Sequence, residues 1–352
     1  MGKLCLISDT HFAIKKASKT FADSQKRYFY TELIPMLQER KITELVILGD
    51  LYDNRTSIDA KILNDVFHLF ETLKEKCINV TILIGNHDTQ YKTNIDTHSL
   101  KYLSLYPNVH VIEDITVKRF YDLDVTLFPW QVDDVFTQKA YETDIAFGHF
   151  DISGCKLNKT TVQEGGTGQS FFWRNFKKTF SGHFHTQSHY DGPKGQTIDY
   201  IGSPYQLTRN DIGEEKGCII LDTTTLEIER VNNKTALRYI KVQYPTPKEE
   251  LPLFNNIIDV HVNITDSFNS DKLNKYVASL HEGDDLGEPI DVKVIPHYHI
   301  NSVDDTEQDL SKIKSVSEMI SSKVNTLDLD DTMKQYTLDY IMGVYDSINA
   351  LA

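Results

Sequence analysis

Residues 44–55 read ELVILGDLYDNR, an apolar run that stops at Gly49-Asp50. A short, β-rich run bounded by a polar turn reads as a buried strand. The carboxylate of Asp50 is therefore expected at the C-terminal end of a strand. The same pattern occurs on both sides. LCLIS, residues 4–8, leads into Asp9-Thr10-His11, and NVTILIG, residues 79–85, leads into Asn86-His87-Asp88. Two helix-like stretches lie between these runs, Ala22 to Arg40 and Ser57 to Lys76. In the second, Ile58, Ile62, Leu63, Val66, Phe67, Leu69 and Phe70 give an apolar helical face. Strand–helix–strand–helix–strand implies parallel pairing with right-handed crossovers.

Further strands are expected at Val109–Ile112, Val125–Phe128, Ile145–Phe147, Thr179–Ser181, Thr197–Ile201 and Cys218–Leu221. Their closer, turn-rich spacing predicts a second and more antiparallel sheet. The fold class is then α/β, a two-sheet sandwich flanked by helices. Pro245, Pro247 and Pro252 mark a composition shift and a domain boundary. A strand (Ile257–Ile264), a helix (Ser270–His281) and a strand (Ile290–Ile295) follow as a small α+β unit. After the acidic stretch SVDDTEQD, two helices are expected. The last begins at Asp330 or Asp331, with Met333, Tyr336, Tyr340, Ile341, Val344, Tyr345 and Ile348 on one face. The domains are thus 1–243, 244–300 and 301–352.

Composition narrows the class. The chain has 352 residues, 40% hydrophobic and 25% charged, which is ordinary for a globular protein. No run reaches the roughly 18 apolar residues of a membrane span. The start MGKLCLISD lacks a cleavage site, and Leu6 stands where myristoylation needs Ser or Thr. Cys5, Cys77, Cys155 and Cys218 are far apart and read as reduced thiols of a cytoplasmic protein. The net charge of −14 opposes nucleic-acid binding, which needs Lys and Arg on phosphates. Local basic clusters, Lys15, Lys16, Lys19, Lys26 and Arg27, then Arg174, Lys177 and Lys178, are either a DNA path or a solvated face.

Five motifs carry the chemistry, each at the end of an expected strand: Asp9-Thr10-His11, Gly49-Asp50-Leu51-Tyr52-Asp53, Gly85-Asn86-His87-Asp88, Gly148-His149 and Gly182-His183-Phe184-His185. Ligands of α/β sheets gather at the carboxyl ends of strands. Carboxylates and imidazoles without Cys suit Mn²⁺, Fe²⁺ or Zn²⁺ in a binuclear site. A lone Gly-Asp is usually a turn and a lone His-x-His is usually structural. Five in this order, each after an apolar run, are not explained by chance.

Motif by motif, the chain resembles the calcineurin-like metallophosphoesterases. The resemblance implies one ion held by Asp9, His11 and His185, a second held by Asn86, His149 and His183, and Asp50 bridging both. It also implies that His87 faces the scissile phosphate, oriented by Asp88. Two such ions clamp the attacking and leaving oxygens of an in-line displacement. His87 would serve as general acid. The protein phosphatases would call for GDxVDRG, but here Asn54 separates Asp53 from Arg55 and no Gly follows.

Ser8–His11, Gly49–Arg55, Gly182–His185 and Tyr200-Ile201-Gly202-Ser203-Pro204-Tyr205-Gln206-Leu207 resemble the SbcD-type nuclease subunits of recombination complexes, including those of large tailed phages. That resemblance implies Mn²⁺-dependent exonuclease action on DNA duplex ends and endonuclease action on single strands or hairpins. It implies a capping role for the small unit, and C-terminal helices docked on an SbcC-type coiled-coil ATPase. It further implies a homodimer within the complex, no membrane, and a host-cytoplasm location. Cellular members can carry His where this chain has Asp53, so Asp53 and Arg55 are expected to stand behind the ligands. The competing reading is a phosphodiesterase or phosphatase for a small molecule or protein.

Overall fold

The computed structural model describes residues 2–91, 94–159, 161–264, 268–282 and 287–298, with 324–325, 333–335, 337–339 and 341–342 beyond them. Met1–His297 form one compact unit and Tyr298–Ala352 another. In the second unit the described residues from 324 onward are helical, and Met333 and Ile341 are exposed. The acidic stretch, Asp330, Asp331, Tyr336, Tyr340, Val344, Tyr345 and Ile348 lie outside the described residues. No helix among the described residues is long and apolar enough to cross a membrane.

The chain opens with β1 (Lys3–Ile7), a turn α1 (Ile14–Ala17), α2 (Lys19–Tyr28) and α3 (Ile34–Glu39). The single helix expected from Ala22 to Arg40 is interrupted by a π-turn at Phe29–Leu33. Pro35 explains the interruption. It lacks an N–H and its ring would clash with the carbonyl one turn back, and a π-bulge absorbs both defects. Then come β2 (Glu44–Ile47), α4 (Ala60–Glu75), β3 (Asn79–Leu83) and β4 (Val109–Ile112). The side chain of Asp59 accepts from the amides of Lys61 and Ile62, so α4 starts at Ala60 and not at Ser57. Ile62, Val66, Leu69 and Phe70 are buried as expected, but Phe67 is exposed and stacks on Tyr102.

Next are β5 (Thr116–Phe120), β6 (Leu123–Phe128), β7 (Ile145–His149), β8 (Ile152–Ser153), β9 (Thr167–Gly168) and α5 (Gln169–Asn175). After these come β10 (Lys178–Gly182), β11 (Ser188–Asp191), β12 (Thr197–Tyr200), β13 (Gly217–Asp222) and β14 (Ile228–Asn232). One sheet runs β14-β13-β1-β2-β3-β4 and the other β11-β12-β10-β7-β6-β5. The second sheet is no more antiparallel than the first, contrary to the expectation from its spacing. In it β12, β10, β7 and β6 are mutually parallel and only the outer strands run the other way. The segments between β6, β7 and β10, one of them carrying α5, are long enough for crossovers.

Strand alternation sorts the core into layers. Leu4, Leu6, Val46 and Leu48 face the second sheet and pack with Leu127, Ile145, Phe147 and Phe180. Cys5, Ile7, Leu45 and Ile47 face the other way, onto Phe21, Phe29, Leu37, Val66 and Phe70 of the helices. The far side of the second sheet is covered by Phe171 and Phe172 of α5 against Phe150, Ile198 and Tyr200. All four cysteines are free; Cys5, Cys155 and Cys218 are buried, and Cys77 is exposed in the turn after α4.

A third sheet is separate. Its strands are β15 (Tyr239–Gln243), β16 (Ile257–Ile264) and β17 (Asp291–Tyr298), in that order. With α6 (Ser270–Leu280) it builds its own core from Val242, Leu253, Ile258, Val260, Val262, Leu273 and Leu280.

Candidate metal centre

The loops after β1 and β2 are zipped together before any ligand is placed. Asp9 N–H donates to the Gly49 carbonyl (3.0 Å), His11 N–H to that of Asp50 (3.1 Å), and Phe12 N–H to that of Leu51 (2.8 Å). Ser8 Oγ donates to the Leu48 carbonyl at 3.0 Å. Asp9, His11, Asp50 and His183 all have positive φ, at 52°, 43°, 54° and 85°. Left-handed backbone outside Gly costs roughly 1–3 kcal/mol per residue and clusters at functional sites. Here it lets short side chains at strand ends turn back toward one point.

Two groups of donor atoms result from the expected ligands, and His11, Asp53 and His87 form a third. The ligand atoms of Asp9, His11 and His185 lie within 4.8 Å of one another, as do those of Asp50, His149 and His183. His11 Nε2 and His185 Nε2 are 3.0 Å apart. Asn86 Oδ1 lies 2.9 Å from both His149 Nε2 and His183 Nδ1. Asp50 faces both groups, with Oδ2 at 3.7 Å from His11 Nε2 and Oδ1 at 3.5 Å from His149 Nε2. Asp9, His11, Asp50 and His149 are all buried.

The donor chemistry fits divalent ions. His149 Nδ1 lies 2.7 Å from the Leu48 carbonyl, which can only accept, so the ring proton sits there. In the neutral ring the lone pair of Nε2 then points at two more acceptors, Asn86 Oδ1 and Asp50 Oδ1. A backbone carbonyl behind a ligating imidazole is the usual outer support of such a site. Burial alone would raise the Asp50 pKa, but His149, His11 and His87 outweigh it and hold the carboxyl far below its ordinary range. Burial opposes charge on His149, yet Asp50 and Asp9 push it up to about 9. Burial first, then His149, pushes His183 down to about 3. Burial, His11 and Lys216 drive His185 well below its ordinary value. Both shifts favour the neutral ring, the form a metal ligand requires.

Residues 2–197 match the family profile of the calcineurin-like phosphoesterases, a span that includes all five motifs. The chain belongs to that family. It is 25% identical to exonuclease subunit 1 of Enterobacteria phage T4 over 357 aligned positions, covering 97% of this chain and 98% of that protein. It is also 24% identical over 254 positions to 078R of Invertebrate iridescent virus 3, named as a phosphoesterase, covering 67% of this chain and 68% of that one.

In this phosphoesterase His87 stands beside the two groups. Its Nδ1 donates to the Asp53 carbonyl at 2.7 Å, its amide donates to Asp50 Oδ1 at 2.8 Å, and its ring meets that of His11 edge-on at 4.9 Å. The orienting hydrogen bond expected from Asp88 thus comes from the backbone of Asp53. Asp88 is fully buried and accepts instead from the amides of Asp50 (2.9 Å), Leu51 (3.0 Å), Tyr52 (3.3 Å) and Gly85 (2.9 Å). Each loop amide needs an acceptor once buried, and one carboxylate serves four. The Asp53 side chain lies 3.2 Å from His11 Nδ1. Arg55 keeps a buried guanidinium nitrogen with no hydrogen-bond partner among the described residues.

Two neighbours escaped the sequence reading. Trp130 packs 5.2 Å from the His183 ring and 6.0 Å from that of His149. It follows β6, so its strand-end position was a signal, but an aromatic after an apolar run reads as core. Lys216, in EEKG, reads as a solvated charge and is in fact buried.

Gly182 is demanded by space. A Cβ there would lie 2.0 Å from Ser8 Oγ, 2.5 Å from the Leu48 carbonyl and 3.0 Å from His149 Nδ1. Gly182→Ala is expected to cost about 3 kcal/mol of stability and to disturb His149 and His183. Urea denaturation checks it; an unchanged midpoint would mean that this corner is loosely packed.

Proposed function

We propose that this phosphoesterase is the catalytic subunit of a Mn²⁺-dependent DNA nuclease. The observation that carries the reading is Asp50 shared between two buried ligand groups, in a chain similar from end to end to a phage exonuclease subunit. Asp9, His11 and His185 would hold one ion, Asn86, His149 and His183 the other, with Asp50 between them. Bound there, two divalent ions supply an activated water and positive charge for in-line displacement at phosphorus.

The chain's own residues do the rest. The Asp53 carbonyl keeps one proton on His87 Nδ1, so the protonated ring carries its second proton on Nε2, from which it would pass to the leaving oxygen. Asp88 holds the loops of Asp50 and His87 in register. Asp53 supports His11.

The charge balance also fits a local DNA path. Lys19 is paired with Asp23, Lys26 with Asp65 and Lys177 with Asp144. Lys15 and Lys16 are exposed without an ion pair among the described residues, four and five positions after His11. With the boundary moved from 243 to 238, because β15 belongs to the third sheet, residues 1–238 would be the nuclease domain and 239–300 a cap over it. Residues 301–352 would dock a coiled-coil ATPase of the SbcC type, in a homodimeric assembly in the host cytoplasm. The relative's designation as a subunit supports a partner.

The test is degradation of an end-labelled linear duplex by the purified chain with Mn²⁺, with Mg²⁺ and with a chelator. Cleavage in Mn²⁺ that the chelator stops is the expected result. Hydrolysis of bis-p-nitrophenyl phosphate with no cleavage of DNA, with or without the ATPase partner, would favour a small-molecule or protein substrate.

A further inference from the structure

One buried cation takes no part in the proposed mechanism. Lys216, just before β13, is almost fully buried. Its ammonium donates to the His185 carbonyl at 2.7 Å and lies 2.9 Å from Asp211 Oδ1 and 2.8 Å from Glu214 Oε2. The first two contacts are hydrogen bonds, and Glu214 meets the ammonium as an ion pair. Both carboxylates are themselves buried. Glu214 also accepts from Thr186 Oγ1 at 3.0 Å, so the cluster grips two consecutive residues, His185 and Thr186. A buried ion cluster is a costly way to gain stability, because desolvation offsets most of the attraction. A role in fixing geometry accounts for it better.

The cluster is also anchored on its far side. Asp211 Oδ2 accepts from the amides of Leu207 (2.9 Å) and Thr208 (2.8 Å). In the same turn, Arg209 makes a two-pronged pair with the buried Asp259 of β16, at 2.7 and 3.0 Å, and lies over the Tyr239 ring of β15. An unbroken set of contacts therefore runs from His185, through Lys216 and Asp211, to the small sheet.

We propose that Lys216 is a positioning residue of the metal centre, which fixes His185 and ties it through Arg209 and Asp259 to the seating of the small sheet. The proposal rests on the reading of His185 as a ligand. Outer supports of metal ligands typically change affinity by about 10- to 100-fold when removed, and Lys216 is expected to fall in that range.

The experiment is calorimetric titration of the metal-stripped full chain with Mn²⁺ alone. Lys216→Met strands two buried carboxylates and can unfold the chain. The neutral triple variant Lys216→Met, Asp211→Asn, Glu214→Gln keeps the shape without stranded charge. It is expected to weaken one of the two Mn²⁺ ions by about 10- to 100-fold, with the other nearly unchanged. Lys216→Arg should retain most of the affinity, and Arg209→Met should weaken the same ion by less. Unchanged Mn²⁺ binding in a folded triple variant would overturn the positioning role. Unchanged binding in Arg209→Met would overturn the tie to the small sheet. No Mn²⁺ bound by the unaltered chain would instead sink the metal reading itself, and His185→Ala distinguishes the cases by removing the ligand outright.

Discussion

His87→Ser is expected to lower phosphodiester hydrolysis by about a hundred- to ten-thousand-fold while both ligand groups stay intact. That is the usual range for removing a general acid. The separation of effects follows from geometry. The ring touches the Asp53 carbonyl and the edge of His11, and only the His87 amide, which survives the substitution, holds Asp50. Metal content should therefore remain near that of the unaltered chain. Measuring turnover of a small diester beside bound Mn²⁺ checks both halves. Loss of an ion in His87→Ser would mean that His87 belongs to the third group of donors, with His11 and Asp53, and acts as a ligand.

Asp88→Ala is expected to have the largest effect on stability of any single change in the site. Four buried amides, those of Asp50, Leu51, Tyr52 and Gly85, would lose their acceptor together. A stranded buried donor costs roughly 1–3 kcal/mol, and partial relaxation brings the sum to about 4 kcal/mol. Against a typical total of about 5–15 kcal/mol, such a loss threatens the fold at body temperature. Asp88→Asn should fall between, because its amide group turns a donor toward amides that also donate. Urea denaturation reads the loss directly. A change under about 1 kcal/mol in Asp88→Ala would show that water reaches these amides.

Much of this was legible in the sequence. LCLIS, ELVILG and NVTILIG became β1, β2 and β3 because central parallel strands are buried on both faces and must be apolar throughout. Apart from the two-residue β8 and β9, the strands that went unread were β5, β11, β14 and β15. Each lies at the edge of its sheet, where one side meets solvent and residues such as Lys118, Arg119, His189 and Lys241 replace the apolar run. The second sheet's parallel core went unread for a related reason: turn density reports connection length, and direction is settled only by where the connection crosses. The motifs brought out the candidate donors, which the structure gathers into clusters, because residue types at strand ends are a local property. The duties of Asp88 and Lys216 were not legible. Both depend on which distant backbone groups arrive beside them, and a lone carboxylate or amine carries no record of that.

The proposed donors are split between two sheets: Asp9, His11, Asp50 and Asn86 follow strands of one, and His149, His183 and His185 belong to the other. During synthesis the N-terminal portion leaves the ribosome first. The growing chain therefore holds three oxygen donors long before its last imidazoles emerge. The full set of proposed donors is present only once His185 is out, and a chain truncated before β7 carries none of the second sheet's imidazoles.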